Sequence, residues 1–475
     1  MSLIQRNKYT RLLSNTVLFG ISTFSSKVLS FLLTRLYTSV LAQASFGIVD
    51  LVTACANLLI PLVSLGISNA VIRFGLEKDV SSKGVFTSGI LAILSGFTAL
   101  LLLGPLLGQI SILQGQLGLL YIYVLMSCLR TLCCQFIRSQ LYTRLYAIDG
   151  ILSTAYTIGF NVLFLVVLKM GTTGYLLSII AADALSALGL FLVAKLHRYV
   201  SFKGVKRSLY AAMLKYSLPL VPASMFWWIT NASDRFFIAY MLGTAENGLY
   251  AAAYKVPNIV AIFSTIFTEA WQLSAVTDGQ GKGREKFFGQ IYAALMGVTF
   301  MVGAGLILFC RLVMRVLVAP SYFEAWQYVP FLIVGTVFSC LVSFLNSVYM
   351  VEKKSNLSLL TMMVGAVSNL ALNALFIPFM GVNGAAIATL ISYMLVFIIR
   401  AVDTRRFIAI DYLPVKTAVN TLLLVAESVV IISGVQGWQI WCALLTAVVV
   451  GINIISLYKG VLQIVKRNRH PKVEG

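Results

Sequence analysis

Long apolar stretches alternate with short polar links along almost the whole chain. A helix that crosses a membrane needs about 20 mostly apolar residues, and about fourteen stretches meet that requirement. The predicted spans cover approximately residues 14–36, 46–70, 85–108, 117–137, 150–169, 174–195, 214–238, 247–270, 287–310, 326–350, 357–378, 383–400, 415–434 and 438–458. The pattern therefore predicts an all-α, polytopic membrane protein.

Basic residues are distributed unevenly between the links. The links after spans one, three, five, seven, eleven and thirteen carry almost no Lys or Arg, with Lys169 as the exception. The link after span nine holds Arg311 and Arg315. The other links and the C-terminal tail are basic. Because Lys and Arg accumulate on the cytoplasmic side of membrane proteins, both termini are predicted to be cytoplasmic.

Composition excludes several classes of protein. The chain has 475 residues, of which 59% are hydrophobic and 11% charged, so a soluble fold could not bury its apolar surface. The net charge of +20 comes from basic residues that alternate with the apolar spans, so it reflects the membrane topology. A nucleic-acid binder would gather such charges in one patch, so no nucleic-acid partner is expected. The sequence has no Walker A motif, metal-ligand cluster or nucleophile elbow. We therefore expect neither an enzyme nor a bound cofactor.

Two segments 200 residues apart resemble each other. One covers 33–50 and the other 233–252. The matching positions are Arg35 with Arg235, Leu36-Tyr37 with Phe236-Phe237, Gly47-Ile48 with Gly248-Leu249, and, in a second pair of segments, Met170-Gly171-x-x-Gly174 with Met380-Gly381-x-x-Gly384. Internal repeats are typical of transporter folds.

The repeat divides the chain into predicted domains. Residues 1–198 form an N-lobe of six spans, and residues 214–406 form a parallel C-lobe of six. Between them, 199–213 is basic and apolar, which favours an amphipathic helix on the cytoplasmic surface. This segment is either a plain linker or one that couples the two lobes. Residues 407–475 add two further spans and a basic tail.

Charged side chains within the spans are candidate functional residues, because a charge in the bilayer usually faces a cavity or a partner. Lys27 and Lys255 fall at similar predicted depths, one in each lobe. Two such cations suit an anionic group such as a pyrophosphate. The alternatives are that each lysine neutralises a nearby acid, as Lys27 would with Asp50, or that it extends to the membrane surface.

Arg130 lies in span four, towards its cytoplasmic end. It either lines a cytoplasmic entrance to the substrate site or belongs to the basic boundary. Arg35, Asp234 and Arg235 lie near the outer ends of their spans. With Asp50, they either pair the lobes as a gate or anchor the helices at the interface.

Asp183 and Glu427 lie deep in their spans, and either would suit a coupling proton or sodium ion. In span seven, Trp227 and Trp228 follow two prolines that predict a bent helix. The two rings either stack on sugars or pack against helices and lipid. Pro257 is expected to loosen span eight beside Lys255.

Two segments carry a resemblance to a known family. Asn369–Tyr393, NLALNALFIPFMGVNGAAIATLISY, closely resembles the eleventh-to-twelfth span region of bacterial polysaccharide flippases. The stretch SDRFFIAYMLGTAENGLYAAAYKVPNI, from Ser233, resembles their seventh-to-eighth span region. The chain is thus similar to Wzx-type flippases for lipid-linked oligosaccharides, of the multidrug/oligosaccharidyl-lipid/polysaccharide exporter superfamily.

This resemblance implies two six-helix lobes in a V around a central cavity, and alternating access in a bacterial cytoplasmic membrane. The related lipid II flippases have basic residues on the first and eighth spans, where Lys27 and Lys255 stand here. Lysines in place of arginines, and the acidic Asp50 on span two, are departures that argue against lipid II as the substrate.

The resulting prediction is a flippase that moves an undecaprenyl-pyrophosphate-linked oligosaccharide to the outer leaflet for cell-surface polysaccharide synthesis. The expected partners are that substrate, membrane lipids, a polysaccharide polymerase and glycosyltransferases, with the flippase itself a monomer. The alternatives are a lipid II flippase, a cation-coupled multidrug exporter, and a non-transporting scaffold of a glycan synthase. The basic first span, with Lys27 and Arg35, argues against the exporter.

Overall fold

The computed structural model describes residues 33–77, 79–109, 115–202, 205–277, 284–352 and 354–469. These ranges contain helices and no β-strand, which confirms the predicted all-α class. The chain divides into two compact units, Met1–Ala232 and Ser233–Gly475. The boundary between them falls within a single helix, Leu220–Met241.

Unit 1 comprises Met1–Ala232. Residues 33–40 are helical. The next helices are α1 (Gln43–Val63), α2 (Ile67–Gly75), α3 (Ser82–Leu102), α4 (Gly104–Leu107), α5 (Leu117–Ser139), α6 (Thr143–Asn161), α7 (Gly171–Val193), α8 (Arg207–Ser217) and the first part of α9 (Leu220–Met241). A π-helical segment, Val162–Val167, extends α6, and a 3₁₀ turn, Leu196–Tyr199, follows α7.

The core of unit 1 is built around α5, which packs against α1, α2, α3 and α7. Phe136 of α5 contacts Phe86 of α3, with ring centroids 4.7 Å apart. Helices α1 and α3 approach very closely at Gly96, where a β-carbon would collide with the carbonyl oxygen of Val63. Small residues at such crossings let helix backbones approach within a membrane.

The link between the two predicted lobes is helical over α8, later in the chain than the expected 199–213. Met213 and Ser217 are fully buried, and α8 packs against α2. Gly66, at the start of α2, has φ +63° and lies against the carbonyl oxygen of Ser217, so a side chain there would meet both a strained backbone and a neighbour. The link is therefore part of the unit 1 core.

Unit 2 begins within α9 and contains the remaining helices. These are α10 (Thr244–Ala253), α11 (Pro257–Thr277), α12 (Arg284–Leu308), α13 (Cys310–Leu317), α14 (Val329–Val351), α15 (Ser355–Met380), α16 (Val382–Thr404), α17 (Pro414–Ser433) and α18 (Trp438–Arg469). A 3₁₀ segment, Pro320–Tyr328, leads into α14.

Helix α14 is the centre of unit 2. It packs against α11, α12, α15 and α16, and its apolar side chains are buried on nearly every side. The last two helices, α17 and α18, form a hairpin against α12. Asn420 and Asn453 exchange amide hydrogen bonds of 3.2 and 2.9 Å across this hairpin. Buried reciprocal bonds of this kind fix the register of two helices.

The links of unit 2 gather at two ends. At one end, Tyr328 donates a 3.3 Å hydrogen bond to Glu246, and the guanidinium of Arg311 stacks on Trp438. The opposite end, called the basic end below, carries Arg284, Lys354, Arg405 and Arg406. Two contacts join its links: Arg284 pairs with Glu352, and Tyr349 donates to Asp403 at 2.7 Å. Successive helices therefore alternate in direction, as successive membrane crossings must.

Ten helices of the described ranges are long and apolar enough to cross a membrane, so this is a multi-pass membrane protein. They correspond to predicted spans two to six and nine to thirteen. Predicted span one lies mostly outside the described residues. Spans seven and eight fall on α9 and on α10 with α11, and span fourteen is a shorter apolar stretch, Trp438–Ile454.

Candidate functional site

Lys255 lies at a break in predicted span eight. Helix α10 ends at Ala253 and α11 begins at Pro257, with a turn over the three residues between them. Proline has no backbone N–H, so it suits the first position of a helix and cannot continue the preceding one. Lys255 is half-buried in this turn. Its predicted counterpart, Lys27, lies outside the described residues.

Arg130 holds three helices of unit 1 together. Its Nη1 lies 2.9 Å from Oδ1 of Asp183 on α7, and its Nε donates to Ser186 at 3.1 Å. Its Nη2 donates to Ser153 of α6 at 2.8 Å and lies 3.8 Å from Oδ2 of Asp149. Because one guanidinium serves two carboxylates, the cluster carries one net negative charge when both acids are ionised.

Hydroxyl groups complete the hydrogen bonding of those two carboxylates. Ser127 donates to Oδ2 of Asp183, and Ser186 donates to Oδ1 of Asp149. Both aspartates are buried, whereas 30% of the Arg130 side chain is exposed. The structure thus joins the predicted substrate residue Arg130 to the predicted ion-coupling residue Asp183 in one cluster.

Asp234 is the centre of a second polar cluster, in unit 2. Its Oδ2 accepts hydrogen bonds from Tyr250 of α10 at 2.7 Å and from Thr389 of α16 at 2.5 Å. Its Oδ1 accepts from Asn373 of α15 at 2.6 Å. Asn369, four residues earlier, accepts from Asn373 at 3.0 Å and extends the cluster. All five side chains are buried.

The donors to Asp234 are neutral. Within the described part of the chain, no Lys, Arg or His nitrogen lies within ion-pair distance of its carboxylate. The adjacent Arg235 instead points at the ring of Tyr254, 5.4 Å from its centroid. Three donated hydrogen bonds, rather than an ion pair, therefore offset the desolvation of this buried carboxylate.

The structure also describes other residues that the sequence singled out. Arg35 is exposed on the helix over 33–40, and Asp50 is half-buried on α1. Trp228 donates from its indole N–H to the carbonyl oxygen of Ala54 at 2.8 Å, which ties α9 to α1 within unit 1. The side chain of Trp227 lies outside the described atoms.

Glu427 is fully buried between α17 and α18. Its Oε1 accepts a 2.8 Å hydrogen bond from Thr446, and among the described residues its Oε2 has no hydrogen-bond partner. The carboxyl group therefore lies inside the C-terminal hairpin.

Sequence reasoning missed most members of both clusters. Asp149 with Ser153, and Asn369 with Asn373, are four residues apart, a spacing that places side chains on one helix face. This four-residue spacing is the sequence feature that could have identified these missed residues. The helix that each face contacts is a property of the tertiary structure.

The chain is similar to a known protein family and to several solved structures. A family model described as polysaccharide biosynthesis protein matches residues 12–271, more than half of the chain. No curated protein sequence matches the chain significantly. A structure described as the lipid II flippase MurJ, inward closed conformation, aligns with a TM-score of 0.70 and 15% identity, over 94% of this chain and 100% of that one.

Two multidrug transporter structures of the MATE family, MOP superfamily, also align. The outward-facing one has a TM-score of 0.59 and 15% identity, over 82% of this chain and 94% of that chain. The inward-facing one has a TM-score of 0.65 and 14% identity, over 80% and 95%. At such identities the likeness shows a shared fold.

Proposed function

The chain belongs to the polysaccharide biosynthesis protein family, and we propose on that premise that it moves a lipid-linked oligosaccharide between membrane leaflets. The family membership carries the proposal. It is supported by the MurJ-like fold, since that structure is described as a lipid II flippase. In this proposal an undecaprenyl-pyrophosphate-linked glycan passes from the cytoplasmic to the outer leaflet of a bacterial cytoplasmic membrane by alternating access.

Lys255 and Lys27 are our proposed pyrophosphate ligands. The helix break at Lys255 is compatible with this role, because irregular backbone in a membrane is tolerated where it is buried in protein or lines a cavity. Arg130 is a further anion ligand in the proposal. Its three nitrogens already contact Asp183, Ser186 and Ser153, so a phosphate would compete with the aspartates for the guanidinium.

The aromatic residues of α9 are the proposed contacts for sugar rings. The indole N–H of Trp228 is bonded to the carbonyl oxygen of Ala54 on α1, which fixes the orientation of a half-buried ring. Trp227 is assigned the same role from the sequence alone. Arg35, Asp50 and Arg235 remain the proposed gate residues.

We assign ion coupling first to Asp234. Its buried carboxylate has oxygen and amide neighbours on three other helix faces, a set that suits a proton or Na⁺. Asp183 is already neutralised by Arg130, and Glu427 lies in the hairpin outside the repeated halves. For those two residues, ion coupling remains a prediction from the sequence.

Reconstituted transport tests this function. Proteoliposomes would carry a fluorescent undecaprenyl-pyrophosphate oligosaccharide, and an added glycosidase would report which molecules reach the outer leaflet. Wild type is expected to speed that exposure, and Lys27→Gln with Lys255→Gln to abolish it. Lys206→Gln, an exposed linker residue, is the matched control.

The rival functions predict different results. A multidrug exporter would move a lipophilic cation and leave the labelled glycan in place. A scaffold for a glycan synthase would move neither. Full glycan transport by the double lysine variant would reject the pyrophosphate site while leaving the flippase assignment intact.

A further inference from the structure

An apolar groove runs along unit 2 between α16 and α17. Helix α17 packs chiefly on α12, α14 and α18, which leaves an open cleft beside α16. The cavity has a volume of about 550 Å³. Phe338 of α14 forms its floor, while Ala401 of α16 and Ala418 and Leu422 of α17 lie along its sides. Volumes of ~300–1,000 Å³ are usual for ligand sites.

Arg405 stands at the mouth of this groove, at the basic end of unit 2. It is exposed, and its guanidinium lies 5.7 Å from the ring centroid of Tyr412. In the described ranges, no acidic side chain lies within ion-pair distance of Arg405. The adjacent Arg406 differs, because it lies 3.6 Å from Asp403. The mouth therefore has an uncompensated positive charge.

Tyr412 does not cancel that charge. Its ring is buried, its hydroxyl lies 2.6 Å from that of Thr404, and burial raises its pKa to about 12. The phenol is thus neutral at physiological pH. Its ring lies beside the guanidinium of Arg405, and a cation–π contact of this kind does not use the N–H donors of the arginine.

The length of the groove along α16 is close to the thickness of one leaflet of a bilayer. Its lining on α16 extends from Met394 to Arg405. Eleven residues at 1.5 Å each give about 16 Å, close to half of the ~30 Å hydrocarbon core of a bilayer. Arg405 directly follows Thr404, the last residue of the span, so the charge lies at headgroup level when the apolar lining lies among acyl chains.

We propose that this groove binds an anionic glycerophospholipid, with one acyl chain between α16 and α17 and the phosphate on Arg405. Basic pockets between helices on the cytoplasmic side are known to take anionic headgroups, and the basic end is the predicted cytoplasmic end. The single-leaflet depth favours an ordinary acyl chain over a longer polyprenyl chain. Such a lipid joins the C-terminal hairpin to the rest of unit 2.

Lipid retention measured by native mass spectrometry tests the proposal on the full-length purified protein. After delipidation in mild detergent, phosphatidylglycerol and phosphatidylcholine with identical acyl chains are added in equal amounts. Wild type should retain more phosphatidylglycerol, and Arg405→Gln should lower that retention roughly fivefold, the equivalent of ~1 kcal/mol per basic residue near a headgroup. Arg406→Gln is the matched control and should retain it like wild type.

A second variant tests the groove itself. Ala418 is exposed, so Ala418→Phe fills the cleft without disturbing the core, and it should lower retention of both lipids. Thermal unfolding in lipid-free detergent would show that each variant is folded. If one does not fold, Leu422→Trp, at another exposed position of the lining, replaces it.

Three results would overturn the proposal. These are equal retention of the two lipids by wild type, equal losses in Arg405→Gln and Arg406→Gln, and unchanged retention in the groove-filling variant. Undecaprenyl phosphate is added as a competitor, and its displacement of phosphatidylglycerol at equimolar amounts would assign the groove to a polyprenyl chain instead. None of these measurements uses glycan transport, so their failure leaves the proposed function unaffected.

Discussion

The Nη1 atom of Arg130 on α5 lies 2.9 Å from Oδ1 of Asp183 on α7. The same guanidinium lies 3.8 Å from Asp149 on α6. One cation thus holds two buried acids and three helices in the middle of unit 1. This arrangement gives Arg130 a structural role beside its proposed contact with substrate.

Removing that cation should destabilise unit 1. Arg130→Met leaves two buried carboxylates without a counter-charge, and we expect a loss of about 1.5–3 kcal/mol, the range for bonds to charged groups. Asp183→Asn leaves Arg130 paired with Asp149, so its loss should be smaller. The apparent Tm in detergent would rank the variants by stability. The double variant Arg130→Met with Asp183→Asn should recover part of the stability that Arg130→Met loses. A larger loss for Asp183→Asn than for Arg130→Met would contradict this account.

Neutralising Asp234 should uncouple transport from its driving ion. Asn keeps the size of the side chain, and the hydroxyls of Tyr250 and Thr389 can rotate to accept from its amide, so the protein should stay folded. We expect glycan movement by Asp234→Asn to lose its response to an imposed Na⁺ or pH gradient. Initial rates of glycan movement in proteoliposomes, with and without each gradient, would measure this response.

The control for that experiment is Asp403→Asn. Asp403 also accepts a hydrogen bond from a tyrosine, Tyr349, but it lies at the basic end beside Arg406. Its replacement should preserve the gradient response. If Asp234→Asn responds to both gradients as wild type does, Asp234 is not the coupling group.

Adding one methyl group at Gly96 should disrupt the crossing of α1 and α3. The β-carbon of Gly96→Ala would meet the backbone of Val63, which cannot rotate away as a side chain can. Over-packing of this kind costs typically 1–3 kcal/mol. Gly189→Ala on α7 is the control, because no described atom outside the local backbone of its own helix lies within 4 Å of the added methyl. A lower apparent Tm and lower yield are expected for Gly96→Ala alone, and equal values for both variants would argue against the close crossing.

Arg311 should secure the turn between α17 and α18. Its guanidinium lies 3.9 Å from the ring centroid of Trp326 and 4.3 Å from that of Trp438, and it donates to the carbonyl oxygen of Ile431 at 3.0 Å. Two such stacking contacts are worth about 0.5–2 kcal/mol each. Arg311→Ala should therefore loosen the turn, while the hairpin stays packed on α12.

Limited proteolysis would report this loosening as faster cleavage near Gly434–Gly437. Arg315→Ala is the comparison, since the Arg315 guanidinium lies 5.7 Å from the ring centroid of Phe323 and away from the turn. Cleavage in Arg311→Ala no faster than in wild type would show that the two indole contacts do not hold the turn.

The hydrophobic pattern alone determined the all-helical, membrane-spanning class. Lipid offers no hydrogen-bond partner to a backbone, so an apolar run of about 20 residues has essentially one solution, a helix. The same pattern located ten of the spans described in the structure, and Pro257 marked the break beside Lys255. These features are local, because each depends on residues adjacent in the chain.

Only the tertiary structure decided which polar side chains meet. Helical spacing put Asn369 and Asn373 on one face, but their contact with Asp234 required α9, α15 and α16 to be neighbours. Likewise, Arg405 and Arg406 are adjacent and chemically identical, yet one is paired with Asp403 and the other faces a groove. Lipid is as apolar as the helix surfaces, so hydrophobicity does not choose helix partners; close packing and interhelical hydrogen bonds do.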